Sequence, residues 1–157
     1  MQIRVGIRPG DIGAIVQLHG TLYAHEYGLD HTFEGYVAGA IGEFAVKYRE
    51  QNDYLAIAEQ DGQVSGSIAI VRDDDRAQLR WFIVHPKLRG HGVGRQLLDG
   101  AITFCRERQF KSVFLWTISE LTTAARLYKA VGFQLTEQHT HEIWGAVHTE
   151  ERYELDL

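Results

Sequence analysis

Between Val84 and Leu98 the chain reads VHPKLRGHGVGRQLL. Gly90, Gly92 and Gly94 alternate with His91 and Val93, and Arg89 and Arg95 flank the set. An apolar run precedes this stretch, and a helix-like run follows it. A helix N-terminus presents N–H groups without intrahelical partners and a partial positive charge. Glycines let such a backbone approach a ligand closely, and the two arginines add positive charge at the rim. The combination suits a phosphate or pyrophosphate. It lacks the Gly-Lys-Ser/Thr of a P-loop. It also lies past the middle of the chain, away from the first-strand position of a Rossmann site. The competing reading is a flexible turn.

Other chemistry-bearing residues are sparser. His139 and His141 share one face of a strand, and His148 lies close by. Such imidazoles could bind zinc, but no carboxylate or thiol is evidently paired with them, and no metal is expected. The one cysteine, Cys105, falls on the apolar stripe of a helix and lacks an identifiable base. The acidic RDDDR, Arg72 to Arg76, reads as a solvated turn, with a cation site as the alternative.

Positioning these groups takes a folded α/β frame. The 157 residues are 45% hydrophobic and 24% charged, which suits one domain, residues 1–157, with its own core. The net charge of −5 argues against nucleic acid as a partner. No apolar run is long enough to cross a bilayer, and MQIRVGIRPGD has no signal-like segment, so no membrane partner and a cytoplasmic location are expected. IRVGI alternates as a first strand. A helix opening at Pro9 and Asp11 carries Ile12, Ile15, Val16, His19, Leu22 and Tyr23 on one stripe. After YGLDHT, a second helix carries Phe33, Val37, Ile41, Phe44, Ala45 and Tyr48.

The period then shortens. YLAIAEQDGQVSGSIAIV is two strands around an Asp61-Gly62 hairpin turn. AQLRWFIV is the next strand. A helix bearing Val93, Leu97, Leu98, Ala101, Ile102 and Cys105 follows the glycine loop. SVFLWTI reads as a strand covered on both faces. LTTAARLYKAVGF is a helix capped by Gly132, and FQLTEQHTHEIWG and RYELDL are two final strands. This order predicts a mixed, mostly antiparallel α/β sheet with helices on both faces.

On Val84, Pro86, Arg89, Gly90, Gly92, Val93, Gly94, Leu97 and Leu98, the loop resembles the acetyl-CoA site of the GNAT N-acetyltransferases. AARLYKAVGF, Ala124 to Phe133, is similar to that family's second signature. The resemblance covers nearly the whole chain, and the C-terminal half looks most like the bacterial domains fused behind MarR-type regulators. It implies direct transfer of an acetyl group from acetyl-CoA to a primary amine in a ternary complex. It implies that Arg89, Gly90, His91, Gly92, Val93, Gly94 and Arg95 bind the pyrophosphate, with Phe82, Ile83 and Val84 pairing with pantetheine and Ala124 nearby. It implies that Tyr128 protonates the departing thiolate; the alternative is that Tyr128 is plain core.

The chain departs from the family where many members carry a strand glutamate as base: Gln78 and Arg80 stand there. Many members also place an asparagine just before the second signature, and here the only asparagine is Asn52. HGTLYAHEYGLDH supplies candidates in place of that base. Its spacing puts His19, Tyr23 and Glu26 near one helix face, and Tyr23, Glu26, Tyr27 and Gly28 match a run in the MarR-fused domains. Glu26 or His19 is therefore the candidate base, with Tyr23, Tyr27, Arg80 and Trp116 as candidate acceptor contacts. Acidic and aromatic residues there suggest a cationic small-molecule acceptor, an amine or an amino acid derivative, with a protein lysine or N-terminus, a peptide amine, as the alternative. Trp144 could also face it. An edge strand could pair across a homodimer. Two other readings stay open: a non-catalytic acyl-CoA sensor, and a nucleotide binder using the same loop.

Overall fold

Residues 1–157 are described by a computed structural model, and every expected element is present in the expected order. These are β1 (Gln2–Val5), α1 (Asp11–Tyr27), α2 (His31–Lys47), β2 (Tyr54–Gln60), β3 (Gln63–Asp73), β4 (Arg76–Val84), α3 (Val93–Glu107), β5 (Ser112–Ile118), α4 (Thr122–Val131), β6 (Gln134–Ile143) and β7 (Ala146–Asp156). One seven-stranded sheet runs β1-β2-β3-β4-β5-β7-β6. Only β4 and β5 pair in parallel. No helix is long and apolar enough to cross a membrane.

Alternation along β2 sorts its side chains onto two faces. Leu55 and Ile57 meet Ile15 of α1 and Phe33, Val37, Ile41 and Phe44 of α2. Ala56 and Ala58 meet α3, with Val93, Leu97, Leu98, Ala101 and Ile102, and Tyr128 of α4. The sheet is thus a middle layer with helices on both faces. Fully burying a Leu or Ile is worth about 1.5–3 kcal/mol. Leu55, Ile57, Ile68 and Ile70 are fully buried, so β2 and β3 are the rigid frame.

Local chemistry sets the corners. Asp61 and Gly62 both take positive φ, 53° and 74°, as the expected hairpin turn requires. Asp30 caps α2, its side chain accepting from the Thr32 amide at 3.0 Å.

Two irregularities create the site. In β4, Ser67 pairs with Ile83 and Ala69 with Arg80, so Trp81 and Phe82 together face the single residue Ile68. This is a β-bulge. Trp81 sits there at φ 48°, a costly conformation for a bulky residue, of order 1–3 kcal/mol. The buried Ser67 hydroxyl donates to the Trp81 carbonyl at 2.7 Å and holds the bulge. The bulge also reverses the faces: Ala77 and Leu79 point toward α3, whereas Trp81 packs against Phe44.

The second irregularity is a split. β4 and β5 pair only from Arg76–Ser112 to Gln78–Phe114, then diverge. Beyond that point the sheet is open between them. Trp116, on β5 in this gap, is 36% exposed. The expectation that β5 is covered on both faces along its whole length is corrected here: divergence from β4 uncovers Trp116.

Candidate active site

The head of α3 carries the first half of the site. Gly90 and Gly92 adopt φ 79° and 77°, which only glycine adopts freely. From Gly90 to Arg95 no amide donates to a carbonyl or a side chain of the protein; the first to do so is Gln96, to the Gly92 carbonyl at 3.0 Å. Six consecutive N–H groups are therefore available at the positive end of a 15-residue helix.

A cavity of about 530 Å³ lies in front of them. Phe82, Ile83 and Val84 line it from β4, Arg89, Gly90, Gly92, Val93, Gly94 and Arg95 from the loop, and Ala124 from α4. Tyr23 and Tyr27 close one side. His91 is exposed and does not line it. The two arginines are held rather than free. Arg95 Nε donates to Asp99 at 2.8 Å. Arg89 Nε donates to the Val84 carbonyl at 3.1 Å, and its Nη1 and Nη2 donate to Glu26 at 2.6 and 2.7 Å.

That pair fixes where Glu26 sits. Glu26 belongs to the loop side of the molecule and lines neither of the two cavities described here. Its hydrogen bonds to Arg89 hold its pKa below the usual carboxylate value. Each of its oxygens already accepts a hydrogen bond from Arg89, which opposes proton abstraction.

A second cavity, of about 120 Å³, lies in the split between β4 and β5. His19, Tyr23, Arg80, Trp116 and Tyr128 line it, together with Phe33, Tyr36, Trp81 and Trp144. Tyr23, Phe82 and Leu121 line both cavities and mark their junction. Tyr27, predicted as an acceptor contact, lines only the loop cavity, and Tyr128 only the split cavity. Phe33, Tyr36, Leu121 and the Trp81 bulge were not singled out from sequence as site-forming. Phe33 reads as plain helix core, and nothing in AQLRWFIV marks a residue at positive φ.

Burial tunes the titrating groups. His19 is 3% exposed. Its Nδ1 donates to the Ile15 carbonyl at 2.8 Å, the only polarity a carbonyl allows, so Nε2 carries the lone pair. Desolvation lowers its pKa to about 4. Desolvation raises the phenols of Tyr128 and Tyr23 well above their usual value, so both stay protonated. Cys105 is buried, and desolvation pushes its thiol up to about 12.

The histidines of the tail correct one expectation. Each has a carboxylate partner: His139 with Glu137 at 2.8 Å, His141 with Glu150 at 2.5 Å, and His148 with Glu120 at 2.5 Å. Glu137 lies on the same strand, two residues from His139, whereas Glu150 and Glu120 come from elsewhere in the chain and the alternating pattern hid them. No group of three or more His, Cys, Asp or Glu side chains is arranged to hold a metal ion. In RDDDR, Asp73 pairs with Arg76 and Asp75 with Lys111, which makes it an exposed, ion-paired turn.

Comparison with known proteins bears on this geometry. Residues 20–133 match the acetyltransferase (GNAT) family. An uncharacterised N-acetyltransferase of Schizosaccharomyces pombe is 28% identical over 122 residues, covering 76% of this chain and 74% of the relative. Other curated relatives are longer, and the matches cover 41% and 53% of two of them. An acetyltransferase structure from Streptococcus agalactiae superimposes with a TM-score of 0.76 at 25% identity, over 99% of this chain and 98% of that one. A Salmonella typhimurium protein determined with its cofactor acetyl-CoA superimposes with a TM-score of 0.73 at 19% identity, over 100% of this chain and 95% of that one.

Proposed function

The chain belongs to the acetyltransferase (GNAT) family, and we propose that it moves an acetyl group from acetyl-CoA to a primary amine by direct transfer in a ternary complex. One observation carries this reading. Of the six residues with unpartnered amides, five line a cavity that meets a second cavity at Tyr23, Phe82 and Leu121. A diphosphate fits the amides, an extended arm bearing amide groups fits the cleft along Phe82–Val84, and an acyl group would reach the junction. Within the family we set the chain beside the MarR-fused domains, on the strength of Tyr23, Glu26, Tyr27 and Gly28.

When bound, acetyl-CoA supplies an activated thioester. The protein orients it and offers donors where negative charge develops. The bulge at Trp81–Phe82 sets two residues against one beside the junction, and an N–H of the bulge is the donor that polarises the carbonyl. Tyr128, kept protonated by burial, donates to the sulfur as it leaves. His19 Nε2, neutral above about pH 4, accepts a hydrogen bond from the attacking amine without taking the proton outright; the proton that the nitrogen sheds replaces the one Tyr128 gives to the sulfur. The acceptor therefore arrives largely by way of its own neutral form. Arg89, clamped by Glu26, holds the loop against the end of β4.

Calorimetric titration with acetyl-CoA, CoA and NAD tests this. Micromolar binding of acetyl-CoA is expected, with none for NAD. Gly92→Glu should weaken it by at least about tenfold, because it places a carboxylate at a positive-φ position among the anion-binding amides. Thiol release in an amine screen then reads turnover. Absence of acetyl-CoA binding in folded protein would refute the loop assignment.

A further inference from the structure

The split cavity contains one charged group without a counter-ion. Arg4, Arg76, Arg89, Arg95 and Arg152 each pair with a carboxylate. Arg80 does not: the one polar contact of its side chain is donation from Nη2 to the Tyr36 hydroxyl at 3.1 Å. The guanidinium lies over Trp81, 4.6 Å from the ring centroid, and near Tyr36 at 5.8 Å. Stacking and the Tyr36 bond fix its plane. Nε and Nη1 are left without a protein acceptor. A guanidinium held this way is preorganised for a carboxylate. The other charged residue lining the cavity, Glu150, already accepts from His141 at 2.5 Å.

The remaining walls are mostly apolar or aromatic, chiefly Phe33, Tyr36, Trp81, Trp116 and Trp144, with His19, Gln78 and Thr117 as the other polar residues. Arg80 stands two residues before Phe82 on β4, a separation of about 7 Å or less. An amine at the Phe82 junction and an anion at Arg80 can thus belong to one small molecule. We propose that the acceptor is an amino acid: a primary amine carrying a free carboxylate on an apolar or aromatic body, with Arg80 as the partner of the carboxylate. This rests on the acetyl-transfer reading above. It narrows the amine or amino acid derivative expected from sequence to an acceptor that carries an anion, because Glu26, the acid behind the cationic side of that expectation, lies on the loop side with Arg89. An unpaired cation beside the junction also repels polyamines.

The test compares L-phenylalanine, L-tryptophan and L-methionine with their methyl esters in wild type, Arg80→Gln and Arg80→Lys. kcat/KM is read from thiol release, and binding is read by calorimetry with and without CoA. The expected result is a preference of about tenfold or more for the free acids, carried mainly by KM. Ester amines are less basic and more of them are neutral, so this preference runs against the intrinsic bias. Arg80→Gln should bring acid and ester within about twofold, and Arg80→Lys should keep part of the difference. Esters handled as well as acids by wild type, or equal losses for both in Arg80→Gln, would overturn the proposal. If thiol is released only with amines lacking a carboxylate, acetyl transfer stands and the Arg80 site falls. If acetyl-CoA does not bind, the transfer reading falls, and the calorimetry on amino acids still judges Arg80.

Discussion

His19→Asn isolates the most perturbed imidazole of the site. Burial lowers the His19 pKa from 6.5 to about 4. The folded pKa lies below the unfolded one, so folding favours the neutral form. The associated stability is fully present above pH 6.5 and is lost as pH falls from 6.5 toward 4. The fall from 6.5 to about 4 corresponds to about 3 kcal/mol. At pH 5 the unfolded chain binds this proton almost fully and the folded chain only about a tenth of the time. Between pH 7.5 and 5 the wild type should therefore lose about 2 kcal/mol through His19 alone.

Asparagine keeps an N–H donor where Nδ1 meets the Ile15 carbonyl, and it does not titrate. Urea denaturation of both proteins at pH 7.5, 6.5, 5.5 and 5 gives the comparison. Any fixed cost of the substitution cancels, because the quantity read is the change in their difference with pH. The variant should gain about 2 kcal/mol on wild type across that range. Parallel curves would refute the buried, neutral His19. The same shift makes a kinetic claim. If neither His19 nor Glu26 titrates between pH 6 and 8, log kcat/KM should rise with unit slope there, set by the acceptor amine. An inflection near 6.5 that disappears in His19→Asn would restore His19 as a titrating base.

Three further variants probe neighbouring parts. Tyr128→Phe retains the ring that packs on Phe82, Phe133 and Tyr153; kcat should fall by about 10²–10⁴ with little change in Tm, and an unchanged kcat would leave Tyr128 as core. Glu26→Gln removes an ion pair whose side chains are 43% and 21% exposed, worth less than about 1 kcal/mol. The Kd for acetyl-CoA should then move by less than about fivefold with kcat preserved; a hundredfold loss of kcat would make Glu26 the base. Ser67→Ala leaves the Trp81 carbonyl without its buried donor, so stability in urea should drop by about 1–3 kcal/mol and kcat should fall with it. Wild-type values in both would show that the bulge is held by packing alone.

What the sequence made legible was local. The glycine loop could be read because glycine itself is the signal, and its neighbours in the chain are its neighbours in space. The strands of the frame could be read because Leu55, Ile57, Ile68 and Ile70 repeat with the period of a pleated sheet. The same rule concealed the bulge. Ala77, Leu79, Trp81 and Ile83 alternate without a break, and all four are buried. An amphipathic strand would have betrayed a change of face, because Trp81 would have swung into water. Here both faces are covered, so Trp81 crosses from the α3 layer to the α2 layer and remains buried.

The cavity in the split between β4 and β5 was hidden for a related reason. Its wall draws His19 from α1, Phe33 and Tyr36 from α2, Arg80 from β4, Trp116 from β5 and Tyr128 from α4. No two of these elements are tied by spacing. The Glu26–Arg89 pair joins residues 63 positions apart, and it took Glu26 away from the role its place on the helix face suggested. A charge is assigned by what it meets across the fold. That is why the proposed acceptor follows from the free guanidinium of Arg80 rather than from Glu26 on α1.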